Sequence, residues 1–317
     1  MLRTSKNHPK DALSASAARW RIKPAKRQSR SASLRIITPS DATRYRTMTQ
    51  QTPPVLQVHD LKVSFLVTDK DGRKKKLNAV RNVSTTIERG TVLGIVGESG
   101  CGKSTLARTI MGLNKPESGH IEILGQNLAE FNKREMRAYR KNYQMIFQDP
   151  VDSINPRMTC GEIIAEPIKA FDGSLTQKDI ESRVASLMDE VGLSPAMGRR
   201  FPHEFSGGQR QRISIARALS ANPKLLVCDE AVSALDVSIQ AQILNLLMRI
   251  KKSHNLAMVF ISHDLSVVRH ISDRILVMYL GQIVEEGPAE DVIKQPQHPY
   301  TRSLIEAIPK FPRPKER

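Results

Sequence analysis

The chain has 317 residues, of which 39% are apolar, 26% charged and 4% aromatic, which is ordinary for a globular protein with a full core. No run approaches the roughly 18 consecutive apolar residues of a membrane-spanning helix. Three widely separated cysteines, Cys101, Cys160 and Cys228, favour neither a disulfide framework nor a metal knuckle, so a reduced, cytosolic compartment is expected.

The net charge of +17 is unevenly distributed, because residues 1–47 carry +10 and the rest of the chain only +7. Three interpretations of this Arg- and Ser-rich stretch stay open. It is a disordered extension ahead of a natural start at Met48, an organelle transit peptide, or an arm that binds a membrane surface or nucleic acid. A secretory signal is not expected, because no apolar segment follows the charges.

Strands and helices alternate through most of the remaining chain. Strands are expected at Val55–Phe65, Ala79–Ile87, Thr91–Val96, Ile121–Leu124, Leu225–Asp229, Ala257–Ile261 and Arg274–Tyr279. Helices are expected at Lys103–Met111, Lys133–Lys141, Thr176–Val191, Gln209–Ala221, Val237–Ser253 and Leu265–Ile271. The pattern predicts an α/β fold with a mainly parallel sheet covered on both faces, and a separate helical lobe in the middle of the chain.

Turns are expected at Asp71-Gly72 and at Leu280-Gly281-Gln282. The basic tract Arg73–Lys76 directly after the first turn is predicted to be a solvated hairpin loop.

A complete phosphate-binding motif follows the third predicted strand and opens a helix. It reads Gly97-Glu98-Ser99-Gly100-Cys101-Gly102-Lys103-Ser104-Thr105. Its glycines allow backbone N–H groups to point at phosphates, and the helix N-terminus adds partial positive charge. Lys103 is expected to bridge the β- and γ-phosphates, and Ser104 to ligate Mg²⁺. Cys101 is expected to be a small filler, although a helix N-terminus can lower a thiol pKa and make it sensitive to alkylation.

Two carboxylates end the predicted strand Leu225–Asp229. Asp229 is expected to reach the Mg²⁺ shell, and Glu230 to be the general base for the attacking water. Two adjacent carboxylates are often surface residues that contribute only to solubility. Here they follow four apolar residues at the end of a predicted buried strand, which favours a functional role.

The segment Phe205-Ser206-Gly207-Gly208-Gln209-Arg210-Gln211-Arg212, placed between these two elements, resembles the signature of the ATP-binding cassette (ABC) ATPases. Further runs carry the same resemblance: Phe147-Gln148-Asp149, Ser233-Ala234-Leu235-Asp236 and Phe260-Ile261-Ser262-His263-Asp264. The resemblance implies a catalytic and metal-contacting role for Gln148, a D-loop role for Asp236 and a γ-phosphate contact for His263. It also implies that Phe65 stacks on adenine, with an ordinary core phenylalanine as the alternative.

Finer motifs resemble the peptide and nickel importer group of this family. They are Gln148–Met158, Asp229–Ser238 and His298-Pro299-Tyr300-Thr301. Together they resemble the F-type ATPase of dipeptide and oligopeptide importers. The D-type sister often has a C-terminal cysteine cluster, whereas no cysteine follows Cys228 here.

The resemblance implies a P-loop NTPase fold of RecA-like type, with an antiparallel β subdomain and an inserted helical lobe. The expected boundaries are a basic extension at 1–53, the ATPase domain at 54–310 and a tail at 311–317. Within the domain, the helical lobe is expected at about 132–222 and a peptide-importer segment at about 286–310.

The implied function is ATP hydrolysis, with ATP and Mg²⁺, that drives uptake of dipeptides or oligopeptides. Each ATP would lie between the P-loop of one subunit and Ser206, Gly207, Gly208 and Gln209 of another. The implied partners are a sister ATPase, in a heterodimer with a D-type subunit, two permeases and a substrate-binding protein. The implied location is the cytoplasmic face of the inner plasma membrane.

Three alternatives stay open beside this interpretation. Another cargo, such as nickel or a modified peptide, would use the same ATPase. A regulatory module with a dead site is disfavoured by Glu230 and His263. A nucleic-acid ATPase is disfavoured because Ser206 follows Lys103 by only 103 positions, too few for an inserted coiled coil, and because there is a single cassette. No nucleic-acid partner is therefore expected.

Overall fold

The computed structural model describes residues 53–69, 71–149 and 153–307. The predictions for residues 1–47 and for the tail at 311–317 lie outside these described residues. The strands are β1 Leu56–Thr68, β2 Lys74–Ile87, β3 Val92–Val96, β4 Ser118–Ile123, β5 Gln126–Asn127, β6 Tyr143–Ile146, β7 Leu225–Asp229, β8 Ala257–Ile261, β9 Arg274–Tyr279 and β10 Gln282–Pro288. The α-helices are α1 Lys103–Ile110, α2 Lys133–Tyr139, α3 Cys160–Phe171, α4 Gln177–Glu190, α5 Gly207–Ser220, α6 Val237–His254, α7 Leu265–Ile271, α8 Ala289–Lys294 and α9 Pro299–Glu306.

The larger sheet has six strands in the order β10-β9-β3-β8-β7-β6. Neighbouring strands within this sheet are parallel, except that β10 pairs antiparallel with β9 at one edge. Every residue of β3, β7 and β8 is buried, as expected for parallel strands that are covered on both faces. The predicted α/β fold with a mainly parallel sheet is confirmed.

Alternate residues of the central strands enter two different hydrophobic cores. On β8, Met258 and Phe260 pack with the apolar residues of α3–α7. The intervening Val259 and Ile261 pack instead with α1 and the second sheet. The continuous apolar runs of these strands are therefore explained by packing on both faces, and their carboxyl ends lie at one edge of the sheet.

The second sheet is antiparallel, with the order β2-β1-β4-β5. The turn between β1 and β2 forms where predicted, with Gly72 at a φ of 78°. The predicted loop at Arg73–Lys76 is wrong, because Lys74–Lys76 are paired with Leu66–Thr68 inside the hairpin. Ion pairs from Lys75 to Asp69 and from Lys76 to Glu117 hold two of these charges on the exposed hairpin.

The helical lobe consists mainly of α3, α4 and α5, and each begins with a reciprocal capping box. The capping residues are Thr159, Thr176 and Ser206. The predicted lobe range of about 132–222 needs one correction, because β6 within it is the edge strand of the larger sheet, paired with β7.

Several elements were not predicted at all. Helix α3 contains Pro167, which disfavours a helix by propensity, yet burial of Ile163, Ile164 and Ile168 compensates for this cost. Beyond Tyr279, β10, α8 and α9 follow where the sequence predicted only a turn and a C-terminal segment.

Candidate functional site

The phosphate-binding loop connects β3 to α1, as predicted, and two of its glycines are required by close contacts. Gly97 has a φ of 150°, and a Cβ there would lie 2.2 Å from the carbonyl oxygen of Met278. Gly102 has a φ of 113°, and its Cβ would lie 2.3 Å from the carbonyl oxygen of Ala79. The loop is thus packed against β2 and β9 so closely that a side chain at either glycine would displace the backbone.

Lys103 is buried at the first position of α1, with 4% of its surface exposed. Its ammonium donates to the carbonyl oxygen of Gly97 at 2.7 Å and to that of Glu98 at 2.9 Å. A buried ammonium held over the loop at a helix N-terminus places positive charge where phosphate groups can bind.

A cavity of about 400 Å³ opens above the loop. It is lined by Phe65, Leu77, Asn78, Ala79, Arg81, Ser99, Gly100, Cys101, Gly102, Lys103, Ser104, Thr105, Gln148, Glu230, Leu280 and Gly281. The cavity therefore brings the loop residues Ser99–Thr105 together with Gln148 and Glu230. Phe65 lies in its wall with 39% of its surface exposed, which leaves the ring available to a ligand. Its stacking on adenine stays a prediction.

Ser104 and Asp229 form the part of the site that suits a divalent cation. The Ser104 hydroxyl donates to Asp229 Oδ1 at 3.0 Å. Burial raises the pKa of the Asp229 carboxyl above its ordinary value, against the lowering effect of the Ser104 hydrogen bond. A buried carboxylate beside a hydroxyl offers the hard oxygen ligands that Mg²⁺ prefers, and a cation there would offset the cost of burying the charge.

Glu230 is the point on which the predicted catalytic side chains converge. Gln148 Nε2 donates to Glu230 Oε2 at 3.0 Å, and His263 Nδ1 lies 3.5 Å from the same oxygen. Glu230 adopts a left-handed backbone with a φ of 49°, uncommon for a residue other than glycine. Its N–H donates to the Ile261 carbonyl, and its carbonyl accepts from the Ser233 hydroxyl, so this conformation is held at both ends.

The signature segment lies elsewhere and does not line the cavity above the P-loop. Ser206 caps α5: its hydroxyl accepts from the N–H of Gln209, whose side chain accepts from the N–H of Ser206. A Cβ on Gly208 would lie 2.5 Å from Ile239 Cγ2, so this glycine permits α5 to pack against α6. Ser206 and Gly207 are exposed at this helix N-terminus, where they can meet a group from outside the chain, and Gln209 is half-buried.

Asp236 is the N-cap of α6, and its carboxylate accepts from the N–H of Ile239 at 3.0 Å and from the Ser238 hydroxyl. These hydrogen bonds, the one from Ile239 first, lower the pKa of Asp236 below its ordinary value. The structure thus gives this D-loop residue a capping role, while its role toward a partner subunit stays a prediction.

The structure favours the predicted filler role of Cys101 over the alternative of a thiol that is sensitive to alkylation. The side chain is buried, with 5% exposed, and burial raises the pKa of its thiol despite the opposing charge of Lys103. Packing under the loop therefore outweighs the helix N-terminus, and Cys101 is a filler.

Sequence reasoning missed several residues that contact the loop, and Tyr300 is the most distant of them along the chain. The Tyr300 hydroxyl accepts a hydrogen bond of 2.8 Å from the N–H of Glu98. Tyr300 lies in the His298–Thr301 motif, which served only as a mark of resemblance. Nothing in its local sequence signals a contact with a loop 202 positions away.

Other features of the described residues lie outside this site. His59, His120 and Glu122 bring potential metal-ligating atoms within 4.8 Å of one another on the antiparallel sheet. His59 stacks on His120, and Glu122 pairs with His120 and Gln57. In the described ranges, no helix combines the length and apolarity needed to cross a bilayer.

The fold and the site together define a class: a P-loop ATPase with an inserted helical lobe, in which a strand-end glutamate faces a glutamine and a histidine. Comparison with known proteins supports this class. The family model described as "ABC transporter" matches residues 80–233, and the one described as "Oligopeptide/dipeptide transporter, C-terminal region" matches residues 284–317.

Among curated proteins, the chain is similar to "Oligopeptide transport ATP-binding protein OppF" of Escherichia coli strain K12. The two are 53% identical over 261 residues, which cover 80% of this chain and 78% of that protein. The chain belongs to the ABC transporter ATP-binding family, and it is an ATPase that binds ATP. The resemblance predicted from the motifs is confirmed.

Solved structures agree with this assignment. The cassette cbiO1 from Clostridium perfringens, part of the transporter complex cbiONQ, is 26% identical, with a TM-score of 0.67. The alignment covers 76% of this chain and 91% of cbiO1. A dimeric post-hydrolysis structure of the cassette MJ0796 with ADP and Pi is 25% identical, with a TM-score of 0.66 over 74% of this chain and 98% of that one.

Proposed function

We propose that this chain is the energy-coupling subunit of an importer for dipeptides and oligopeptides. ATP hydrolysis at its own site drives uptake through permease partners, which hold it at the cytoplasmic face of the inner membrane. The convergence of Gln148 and His263 on Glu230, beside the Ser104–Asp229 pair, supports hydrolysis. The peptide cargo is supported by the names of the relative and of the family model for the C-terminal region.

The residues of the site take separate roles in this proposal. Lys103 and the loop amides bind the β- and γ-phosphates, and Phe65 packs on adenine. Ser104, Asp229 and Gln148 would hold Mg²⁺, which when bound neutralises phosphate charge. Glu230 accepts the proton of the attacking water, and Gln148 orients that water. His263 donates a hydrogen bond to the γ-phosphate, next to Glu230.

The signature segment serves a partner's nucleotide. Ser206 and Gly207 are exposed at a helix N-terminus, with the buried Gly208 behind them, and none of the three lines this chain's own cavity. The similarity to a dimeric cassette supports a dimer, for which we propose a head-to-tail arrangement with each ATP between two subunits. Because MgATP binds the closed state best, ATP closes the dimer and hydrolysis releases it. A D-type sister would make this a heterodimer.

The Gln148 loop connects the site to the membrane partners. Phe147, beside Gln148, has 38% of its surface exposed, so its ring is available to a partner's surface. We expect Asp149–Met158, of which residues 150–152 lie outside the described residues, to contact a cytoplasmic helix of a permease. A substrate-binding protein outside the membrane would deliver the cargo.

The dimer arrangement can be tested with Ser206→Ala in the assembled complex. Hydrolysis at the sister subunit's P-loop should fall about tenfold or more, because the Ser206 hydroxyl would no longer donate a charge-assisted hydrogen bond to the γ-phosphate. ATP affinity at Lys103 should stay within about twofold, since Ser206 lies outside that cavity. An effect confined to this chain's own site would refute the arrangement.

The cargo can be tested by deleting the gene and restoring it on a plasmid. Uptake of labelled di- and oligopeptides should be lost in the deletion strain and return with the wild-type chain, while nickel uptake stays unchanged. Loss of nickel uptake with normal peptide uptake would contradict the peptide assignment and support the alternative cargo.

A further inference from the structure

The C-terminal segment contacts the phosphate-binding loop through one peptide group. The peptide between Gly97 and Glu98 donates its N–H to the Tyr300 hydroxyl at 2.8 Å. The carbonyl of the same peptide accepts from Lys103 Nζ at 2.7 Å. Hydrogen bonds at both ends of a peptide polarise one another, so the tyrosine and the lysine are linked through a single rigid plane.

Tyr300 is itself held in place by its neighbours. Its ring packs against Tyr279 at the end of β9, with ring centroids 4.4 Å apart. His298 Nδ1 accepts from the N–H of Tyr300 at 3.2 Å. Glu285 on β10 accepts from the N–H groups of Gln297 and His298 at 2.8 and 3.0 Å. The contacts with Tyr279, His298 and Glu285 therefore fix the position of the Tyr300 hydroxyl relative to the loop.

The hydroxyl also keeps one chemical form. Burial raises the pKa of Tyr300 to about 12, so the group stays neutral at physiological pH and accepts the Glu98 N–H without carrying charge. Thr301, the next residue, is fully buried and fixes the first turn of α9 against the domain.

We infer that Tyr300 is a positioning residue for the phosphate-binding lysine. By fixing the Gly97–Glu98 peptide, it aims the Gly97 carbonyl at Lys103 and holds the ammonium where the β- and γ-phosphates bind. The C-terminal segment that contains Tyr300 thereby strengthens ATP binding by the cassette. This inference rests on the proposed role of Lys103.

The test is Tyr300→Phe in the full-length chain, which removes the hydroxyl and keeps the ring against Tyr279. ATP affinity, measured by equilibrium binding well below the melting temperature, should fall about two- to tenfold, the range expected for one neutral hydrogen bond. In the assembled complex, KM for ATP should rise by the same factor, while kcat changes less than about twofold, because Glu230, Gln148 and His263 are untouched. Amide exchange at Glu98 should become faster.

The matched control is Tyr139→Phe, which removes a hydroxyl bonded to the Ile123 carbonyl in another part of the chain. It should leave ATP affinity and Glu98 exchange unchanged. Unchanged ATP affinity in Tyr300→Phe, or an equal loss in both variants, would overturn the inference. The variant Lys103→Ala distinguishes failure of this inference from failure of the proposed ATP site. If the Lys103→Ala variant binds ATP normally, the assignment of the site itself is wrong.

Discussion

The role of Glu230 as general base makes a quantitative prediction for Glu230→Gln. The Gln148 amide donates to the Glu230 carboxylate at 3.0 Å, and the oxygen of a substituted glutamine can accept the same hydrogen bond. The substitution therefore keeps the geometry and removes the basicity. Loss of general-base catalysis should lower kcat about 10²–10⁴-fold, which corresponds to about 3–5.5 kcal/mol in the activation free energy.

Steady-state phosphate release by the assembled complex measures this loss, and equilibrium binding measures ATP affinity separately. Affinity should stay within about threefold of wild type, because Lys103 and Ser104 keep their contacts. Glu290→Gln is a suitable control, since that carboxylate is exposed and pairs with the exposed Lys294 on helix α8. A kcat for Glu230→Gln within a few-fold of wild type would refute the assignment of the base.

Three further predictions follow from the packing of the loop and of the core. Gly102→Ala should weaken ATP binding more than about tenfold by equilibrium binding, because its Cβ would lie 2.3 Å from the Ala79 carbonyl oxygen at a φ of 113°; near wild-type affinity would contradict this. Cys101 in the native chain should react with a maleimide more slowly at pH 7 than an exposed thiol, and the rate of its reaction should rise with pH. The reason is that burial raises the pKa of the thiol and only the thiolate reacts. Rapid labelling at pH 7, measured by mass spectrometry, would refute this prediction. Phe260→Ala should lower the free energy of unfolding by about 3–5 kcal/mol in denaturant titrations, because the ring is fully buried; a loss below about 1 kcal/mol would contradict its place in the core.

The sequence was most informative where local pattern and tertiary position agree. The apolar runs of β3, β7 and β8 predict buried strands, and the candidate phosphate-binding and catalytic residues lie at or just after the ends of these strands. Parallel strands end at one edge of the sheet, so the sequence predicts that Lys103, Asp229 and Glu230 lie close together. The Glu230–Gln148 hydrogen bond confirms that a residue 82 positions earlier enters the same site.

The sequence was least informative where pairing with distant segments decides the structure. Strand β6 has only four residues after a charged helix, so its pattern could not be separated from the helical lobe. Lys74–Lys76 form a strand because β1 supplies their partners, although three consecutive lysines favour solvent. The Tyr300–Glu98 contact joins chain segments with no shared local signal, so only the fold reveals it.

The central claim is that ATP hydrolysis at this chain's own site drives peptide transport. The most direct measurement is ATP-dependent uptake of a labelled oligopeptide by proteoliposomes that contain the permeases, the sister ATPase, the binding protein and either the wild-type chain or Glu230→Gln. We predict uptake with the wild-type chain and a loss of at least about tenfold with the variant, although the complex assembles and binds ATP. Equal uptake by the two complexes would contradict the claim.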